Sequence, residues 1–248
     1  ITLTQKERIT DIGDHVFRNF LTPRMQVQAI VSYAIGDLGM SNFAVLYPEE
    51  KYGTTFMTLF WDEVASYGGN LVASESYLPS HTDFAGPIRK LSGHPIDAIF
   101  IPDSPDKAGL IIPQLAYYGG KRAQLFGTNL WHSEKLIKMA KKFARGAIFP
   151  DIFFAESNSP EVRDFVRRFQ ETFGERPGFI EAIAYDTAMM LFHVIRQSDI
   201  GYRSTLRDKL TQFRSFRGVT GLTAFDESGE AHKTLYLLQL KGSRFVEL

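Results

Sequence analysis

Short apolar runs alternate with amphipathic helical stretches through the first 150 residues, and this alternation limits the fold more than any other feature of the sequence. Continuous apolar strands separated by helices are typical of a parallel sheet that helices cover on both faces. We therefore predict an α/β fold with one mostly parallel sheet. Its strands are expected at residues 43–47, 71–77, 97–101, 123–127 and 147–150.

The loops that follow these strands are the first place to look for a ligand site. In parallel sheets the loops at the carboxyl ends of the strands converge, and ligands bind there. The rule selects loops 47–53, 102–104 and 128–131. Their candidate residues are Tyr52, Asp103, Ser104, Thr128, Asn129 and Trp131.

Each of these candidates also has a structural interpretation, and the sequence leaves both open. Ser104 precedes Pro105, a pair that is typical of a helix N-cap followed by its first residue. Tyr52 either covers a ligand or packs on its own loop. Trp131 either forms a wall of a ligand pocket or packs within its loop.

The second part of the chain breaks the alternation. Helices are predicted at 160–173, 179–197 and 203–213 with no strand between them, which indicates that the chain enters another lobe. Strands are then expected at 219–225, 234–240 and 244–246. Turns at 226–229 and 241–243 would join them.

Composition and missing motifs weigh against several classes of function. Lys+Arg and Asp+Glu each number 28, so a general nucleic-acid binder is not expected. The chain has no cysteine, no run of about 18 apolar residues, and no dinucleotide, P-loop, hydrolase-elbow or zincin motif. The six histidines are scattered. We therefore expect no catalytic residues, no metal site and no cofactor.

Several segments, in this order, are similar to a known family. They are Val16-Phe-Arg, Phe43-Ala-Val-Leu-Tyr, Tyr52-Gly, Asp97-Ala-Ile-Phe-Ile, Gln124-Leu-Phe-Gly-Thr-Asn-Leu-Trp, Glu181-Ala-Ile-Ala-Tyr-Asp and Gly218-Val-Thr-Gly-Leu-Thr-Ala-Phe-Asp-Glu-Ser-Gly. The last is the most specific, with its Gly-x-x-Gly-x-x-x-Phe-Asp-x-x-Gly pattern. The chain thus resembles type 1 periplasmic binding proteins, above all the branched-chain amino-acid receptors.

This resemblance implies a bilobal protein with flavodoxin-like or Rossmann-like parallel-sheet lobes. One lobe would be complete, at 21–152 plus 218–248, and residues 1–20 plus 153–217 would form part of the other. We expect the first half of that other lobe to be missing in front of residue 1. The family's ligand contacts would fall on Tyr52, on Asp103 or Ser104, on Thr128 or Asn129, and near Tyr185, which otherwise packs within its helix.

The resemblance also implies a function. The expected role is a solute-binding receptor for a small polar ligand, with an amino acid first, in an ABC-type uptake system. Transporter subunits in the membrane would be its partners, and its location would be periplasmic or anchored to the envelope. The alternative is an envelope lipoprotein regulator similar to penicillin-binding-protein activators, which uses the same fold to dock proteins.

A partial lobe would also leave apolar helix faces uncovered. The faces of 160–173, 179–197 and 203–213 would then lack a sheet to pack on. We expect either self-association or packing of these helices away from their usual positions. The residues expected to be short of cover are Phe165, Phe169, Ile183, Leu191 and Ile195.

Overall fold

The chain passes between two structural units three times. The computed structural model describes residues 1–6, 8–119, 123–196, 201–213 and 215–248. Unit 1 contains residues 1–25 and 152–236, and unit 2 contains residues 26–151 and 237–248.

Unit 2 is built on a mostly parallel sheet, as predicted. Its strands in the described residues are β1 (Asn42–Pro48), β2 (Asn70–Tyr77), β3 (Ala98–Phe100), β4 (Gln124–Phe126), β5 (Ile148–Asp151), β9 (Tyr236–Lys241) and β10 (Arg244–Glu247). Their order is β10-β9-β5-β4-β3-β1-β2. Strands β1 to β5 pair in parallel, whereas β9 and β10 form an antiparallel hairpin at one edge. The carboxyl ends of β1, β3 and β4 therefore lie side by side.

Helices cover this sheet because their apolar positions recur at helical spacing. They are α1 (Pro23–Ser32), α2 (Lys51–Ser66), α3 (Ala85–Ser92), α4 (Pro105–Tyr118) and α5 (Glu134–Ala140). Helix α2 buries Phe56 and Phe60. The Phe60 ring stacks on Phe100 of β3 with 4.6 Å between centroids. Full burial of one such ring contributes roughly 1.5–3 kcal/mol, so these contacts fix α2 and the loop before it on the sheet.

Unit 1 contains the three consecutive helices that the sequence predicts. They are α6 (Pro160–Phe173), α7 (Phe179–Ile195) and α8 (Arg203–Gln212). The predicted last residue of the second helix, Gln197, lies outside the described residues. The described part of unit 1 also holds a small antiparallel sheet of β6 (Phe216–Gly218), β7 (Gly221–Phe225) and β8 (Ala231–Lys233).

This small sheet corrects two predictions. Residues 219–225 were expected to form one strand that a turn at 226–229 joins to a strand at 234–240, but β7 is followed by β8 and pairs with β6 and β8. Residues 218–236 accordingly belong to unit 1 and not with residues 21–152. Packing explains the difference, because Phe225 of β7 contacts Phe17 edge to face at 5.2 Å, within the core of unit 1.

The buried carboxylate of Asp186 accounts for the first half of the glycine pattern at 218–229. It accepts hydrogen bonds from the backbone N–H of Val219 at 2.9 Å and of Thr220 at 2.7 Å. A Cβ atom on Gly218 would lie 2.3 Å from Asp186 Oδ2. Gly221 has a φ of +84°, a conformation that favours glycine. The pattern therefore marks the place where α7 binds the β6–β7 turn.

We predict that Gly218→Ala lowers the free energy of unfolding by about 2 kcal/mol or more, because the added methyl group displaces a buried, hydrogen-bonded carboxylate. Gly86→Ala is the matched control, since a Cβ there has nothing within 4 Å. Urea unfolding followed by circular dichroism measures both. Equal stability of the two variants would contradict the role given to Asp186.

Lys233 is a second desolvated group in unit 1. Its Nζ donates hydrogen bonds to Asn19 Oδ1 at 3.1 Å and to Thr223 Oγ1. Asn19 in turn donates to Thr187 Oγ1 at 2.8 Å. Burial lowers the pKa of Lys233 to about 8, although the negative charge of Asp186 acts in the opposite direction. The folded state therefore releases this proton more readily than the unfolded chain.

The lowered pKa predicts how stability depends on pH. Between pH 8 and the ordinary lysine pKa of 10.5, the unfolded chain binds more protons at Lys233 than the folded protein does, so this residue makes stability rise with pH in that range. Lys233→Met should remove that contribution. Urea unfolding at pH 8 and pH 10 measures the change in the free energy of unfolding between these pH values for the unmodified chain and for Lys233→Met. An identical change in stability for both would show that Lys233 has an ordinary pKa.

Candidate functional site

The carboxylate of Asp103 forms the centre of the candidate site in unit 2. It follows β3, and the residue is only 7% exposed. Tyr77, the last residue of β2, donates its hydroxyl to Asp103 Oδ2 at 2.6 Å, and the backbone N–H of Ser104 donates to Oδ1 at 2.5 Å. The indole N–H of Trp131 donates to the Asp103 carbonyl at 3.2 Å. The ends of β2, β3 and β4 thus meet at one edge of the sheet.

Tyr52 joins a second pair of strand ends at this edge. Its hydroxyl donates to Thr128 Oγ1 at 3.0 Å, which links the start of α2 to the loop after β4. Gly53 permits this position, because a Cβ there would lie 2.2 Å from the carbonyl oxygen of Pro48. Burial raises the pKa of Tyr52 to about 12, and the negative charges of Asp103 and Glu50 add to the effect. Tyr52 is therefore a neutral hydroxyl at physiological pH.

Trp131 supports the site from the interior of unit 2. Its ring is fully buried, and a Cβ on Gly127 would lie 2.0 Å from it. The full burial of the ring fits the packing interpretation, and a ligand contact at Trp131 stays a prediction. Thr128 is also fully buried, and its Oγ1 accepts a hydrogen bond from the hydroxyl of Tyr52. These two residues fix the positions of Asp103 and Tyr52.

Ser104 and Asn129 keep part of their surface exposed. Ser104 caps α4, since its Oγ accepts the N–H of Lys107 at 3.3 Å, and its hydroxyl proton remains free to donate. The backbone N–H of Asn129 donates to Oε1 of the buried Gln26 at 2.9 Å. The Asn129 side-chain amide carries two further donors.

Sequence reasoning missed Tyr77 and Gln26 as supports of this site. Tyr77 could have been found, because it ends a predicted strand at the same edge of the sheet as Asp103. Gln26 carries no such signal, since it lies about a hundred residues before Asn129 in the chain and inside a helix.

Tyr185, the remaining candidate, belongs to unit 1. It lies on α7, is 37% exposed, and packs on Phe165 of α6 with 4.7 Å between ring centroids. The contact fits the packing interpretation, and a ligand contact at Tyr185 stays a prediction.

A cavity lies elsewhere in unit 2. It has a volume of about 570 Å³ and lies at the amino ends of β4 and β5, lined by Leu115, Gln124, Phe143, Arg145 and other residues. None of the predicted site residues lines it. Within the described residues no cluster of His, Asp and Glu could hold a metal ion. No helix in the described ranges is long and apolar enough to cross a membrane.

Comparison with family models gives a direct match. The model described as "Periplasmic binding protein" matches residues 6–244. The chain belongs to this family. The predicted family and fold class are thereby confirmed, whereas a search of curated proteins found no match.

Solved structures of periplasmic binding proteins share the fold. A candidate branched-chain amino acid ABC transporter protein from Rhodospirillum rubrum superposes with a TM-score of 0.90 at 23% identity, over 98% of this chain and 70% of that one. The leucine-binding protein of Thermotoga maritima superposes with a TM-score of 0.73 at 21% identity. The match covers 96% of this chain and 68% of that one. A Streptococcus pneumoniae substrate-binding protein in complex with isoleucine superposes with a TM-score of 0.69 at 24% identity. The match covers 98% of this chain and 71% of that one. The chain thus spans about 70% of the length of these structures.

We predict that Tyr77→Phe destabilises the protein by about 1–3 kcal/mol, because the buried Asp103 carboxylate loses a hydrogen-bond donor. Tyr117→Phe, at a side chain that is 81% exposed, is the control and should be neutral. Urea unfolding monitored by fluorescence measures both changes. A neutral Tyr77→Phe would mean that the hydroxyl does not hold Asp103.

Proposed function

We propose that the chain acts as the solute-binding receptor of an ABC-type uptake system and binds a small polar ligand, most readily an amino acid. The observation that carries this proposal is the meeting of Asp103 with partly exposed hydroxyl and amide groups at the carboxyl edge of the unit 2 sheet. The comparisons do not support the alternative of an envelope regulator.

The chemistry of the edge suits a zwitterion. Ser104 and Asn129 have donors left for a ligand carboxylate. The Asp103 carboxylate and the Tyr52 oxygen can accept hydrogen bonds from a ligand ammonium group. Both oxygens of Asp103 already accept one hydrogen bond each, which holds the carboxylate in place and leaves further lone pairs.

Relatives solved with ligands support a carboxylate-containing ligand. Their structures include a Desulfitobacterium hafniense protein with leucine, the Streptococcus pneumoniae protein with isoleucine, and a solute-binding protein from R. palustris with benzoate. All three ligands join a carboxylate to an apolar group. We infer the same class here, with an extracytoplasmic location and transporter subunits in the membrane as partners.

Comparing the binding of leucine with that of 4-methylpentanoate isolates the contribution of the ligand ammonium group, because 4-methylpentanoate has the same carboxylate and apolar group but no ammonium. NMR titration of the ¹⁵N-labelled chain should show shifts at Ser104 and Asn129 with either compound. Leucine should bind about tenfold more tightly, since one hydrogen bond to a charged group is worth at least that factor. Asp103→Asn should remove the difference.

Asp106→Asn is the matched control for this substitution. Asp106 lies three residues away, in the first turn of α4, where it is half exposed and pairs with Lys135. The Asp106→Asn variant should keep the preference for leucine over 4-methylpentanoate. Equal binding of leucine and 4-methylpentanoate to the unmodified chain, or shifts confined to residues outside the edge, would contradict the proposal.

A further inference from the structure

Unit 1 covers most of the apolar side chains that the sequence predicts to be open. Phe165 and Ile183 are buried, and Phe169 and Leu191 are partly buried, so the expectation that these four lack cover is wrong. Ile195 alone of the five is widely exposed. A different apolar feature lies in unit 2, in the cavity at the amino ends of β4 and β5.

The cavity has apolar walls and is formed entirely by residues of unit 2. Its volume of about 570 Å³ falls within the range of roughly 300–1,000 Å³ that small-molecule sites occupy. Ile99 of β3 and Ile112 and Leu115 of α4 form a buried wall. Phe143 also lines the cavity and is 44% exposed, so the cavity opens to solvent beside this ring. A second cavity of about 390 Å³ shares part of the wall and extends it toward α3.

A hydrogen bond and a turn hold the cavity in shape. Gln124 Nε2 donates to the carbonyl of Gly146 at 2.7 Å, which ties the start of β4 to the segment before β5. The chain turns at the end of α5, where Lys141 has a φ of +50°, a conformation that favours glycine. Phe143 and Arg145 follow this turn and line the cavity. The fold of unit 2 therefore forms the cavity by itself.

Two cations of the same turn lie at the open side of the cavity. Arg145 lines the cavity and is exposed. Lys142 Nζ lies 5.4 Å from the ring centroid of Phe143. The exposed side of an apolar cavity is thus positively charged.

The β9–β10 turn adds two more cations beside the cavity. The N–H of Gly146 donates to the Leu240 carbonyl at 2.8 Å, so the turn that follows Leu240 lies next to the cavity lining. Lys241 and Arg244 flank this turn, and both are exposed. Positive charge therefore comes to this edge of the sheet from two separate segments.

These four cations differ from other lysines of unit 2. Within the described residues, no salt bridge joins a carboxylate to any of the four, which are Lys142, Arg145, Lys241 and Arg244. Three lysines elsewhere in the unit each form an ion pair, namely Lys90 with Glu75, Lys135 with Asp106 and Lys138 with Glu134. Unpaired cations beside an apolar cavity are complementary to a ligand that is both anionic and apolar.

We propose that this cavity binds an anionic amphiphile, a molecule with one acidic head group and a single apolar chain. The chain packs on Ile99, Ile112 and Leu115, where burial of each methylene group is favourable. The head group pairs with the Arg145 guanidinium, whose planar fork can donate two hydrogen bonds to a carboxylate or phosphate. The inference is independent of the proposed function, because the two sites lie at opposite edges of the sheet.

Leucine does not fit this second site. Its ammonium group would lie among four cations, and its short side chain would leave most of a cavity of this size uncovered. The two sites can therefore be told apart by the ligands that they bind.

Isothermal titration calorimetry with decanoate tests the proposal. Decanoate should bind at least about tenfold more tightly than decyltrimethylammonium, which has the same chain and a cationic head group, because one hydrogen bond to a charged group is worth that factor. Saturating leucine should leave the affinity for decanoate unchanged.

Two substitutions test the head-group and chain contacts separately. Arg145→Glu should weaken decanoate binding at least about tenfold, whereas Lys51→Glu, the same change of charge at the exposed first residue of α2, should not. Ala116→Phe should weaken it about tenfold without a change of charge, since the ring excludes roughly two methylene groups from the cavity. Ala65→Phe, at another exposed helical alanine of unit 2, is the matched control. Circular dichroism verifies that each variant keeps its helices.

NMR titration of the ¹⁵N-labelled chain locates the decanoate. The proposal predicts shifts at the cavity residues Gly119, Ala123 and Gly146. No binding, equal affinity for the two head groups, or decanoate shifts at Ser104 and Asn129 that leucine abolishes would overturn it. Binding to phosphatidylglycerol vesicles but not to free decanoate would also overturn it and would assign the cations to a membrane surface.

Discussion

The candidate site depends on the need to satisfy one buried carboxylate. Asp103 is almost fully buried, and a buried charge is tolerated only where hydrogen bonds surround it. The donors to its side chain come from the end of β2 and from its own loop, and Trp131 holds its backbone carbonyl. Meeting this requirement brings three strand ends together. The exposed polar atoms of Ser104 and Asn129 then occupy fixed positions at the same edge.

Unit 1 follows the same principle with a different outcome. Asp186 is fully buried, and its carboxylate accepts hydrogen bonds from the backbone N–H groups of Val219 and Thr220. Its space next to the chain exists only because residue 218 is a glycine. This carboxylate joins α7 to the small sheet through these contacts. The first half of the glycine pattern therefore has an architectural explanation.

The parts of the structure that depend on local pattern were predictable. Strands β1 to β5 follow from continuous apolar runs, and the placing of Tyr52, Asp103 and Ser104 at one edge follows from the strand-end rule. The burial of Trp131 was one of two interpretations that the sequence left open, because it depends on the close approach of its ring to Gly127, a contact set by the folded loop. The boundary between the two units at residue 236 was missed as well. Strands β6 and β8 have three residues each, which is too short for an alternating pattern of apolar and polar residues to be recognised in the sequence.

A crystal structure of the 248-residue chain with leucine tests the central claim most directly. The account predicts ligand density at the carboxyl edge of the unit 2 sheet, with the ligand carboxylate at Ser104 and Asn129 and its ammonium group at Asp103. Density instead in the cavity lined by Leu115, Phe143 and Arg145, at the opposite edge of the sheet, would contradict it.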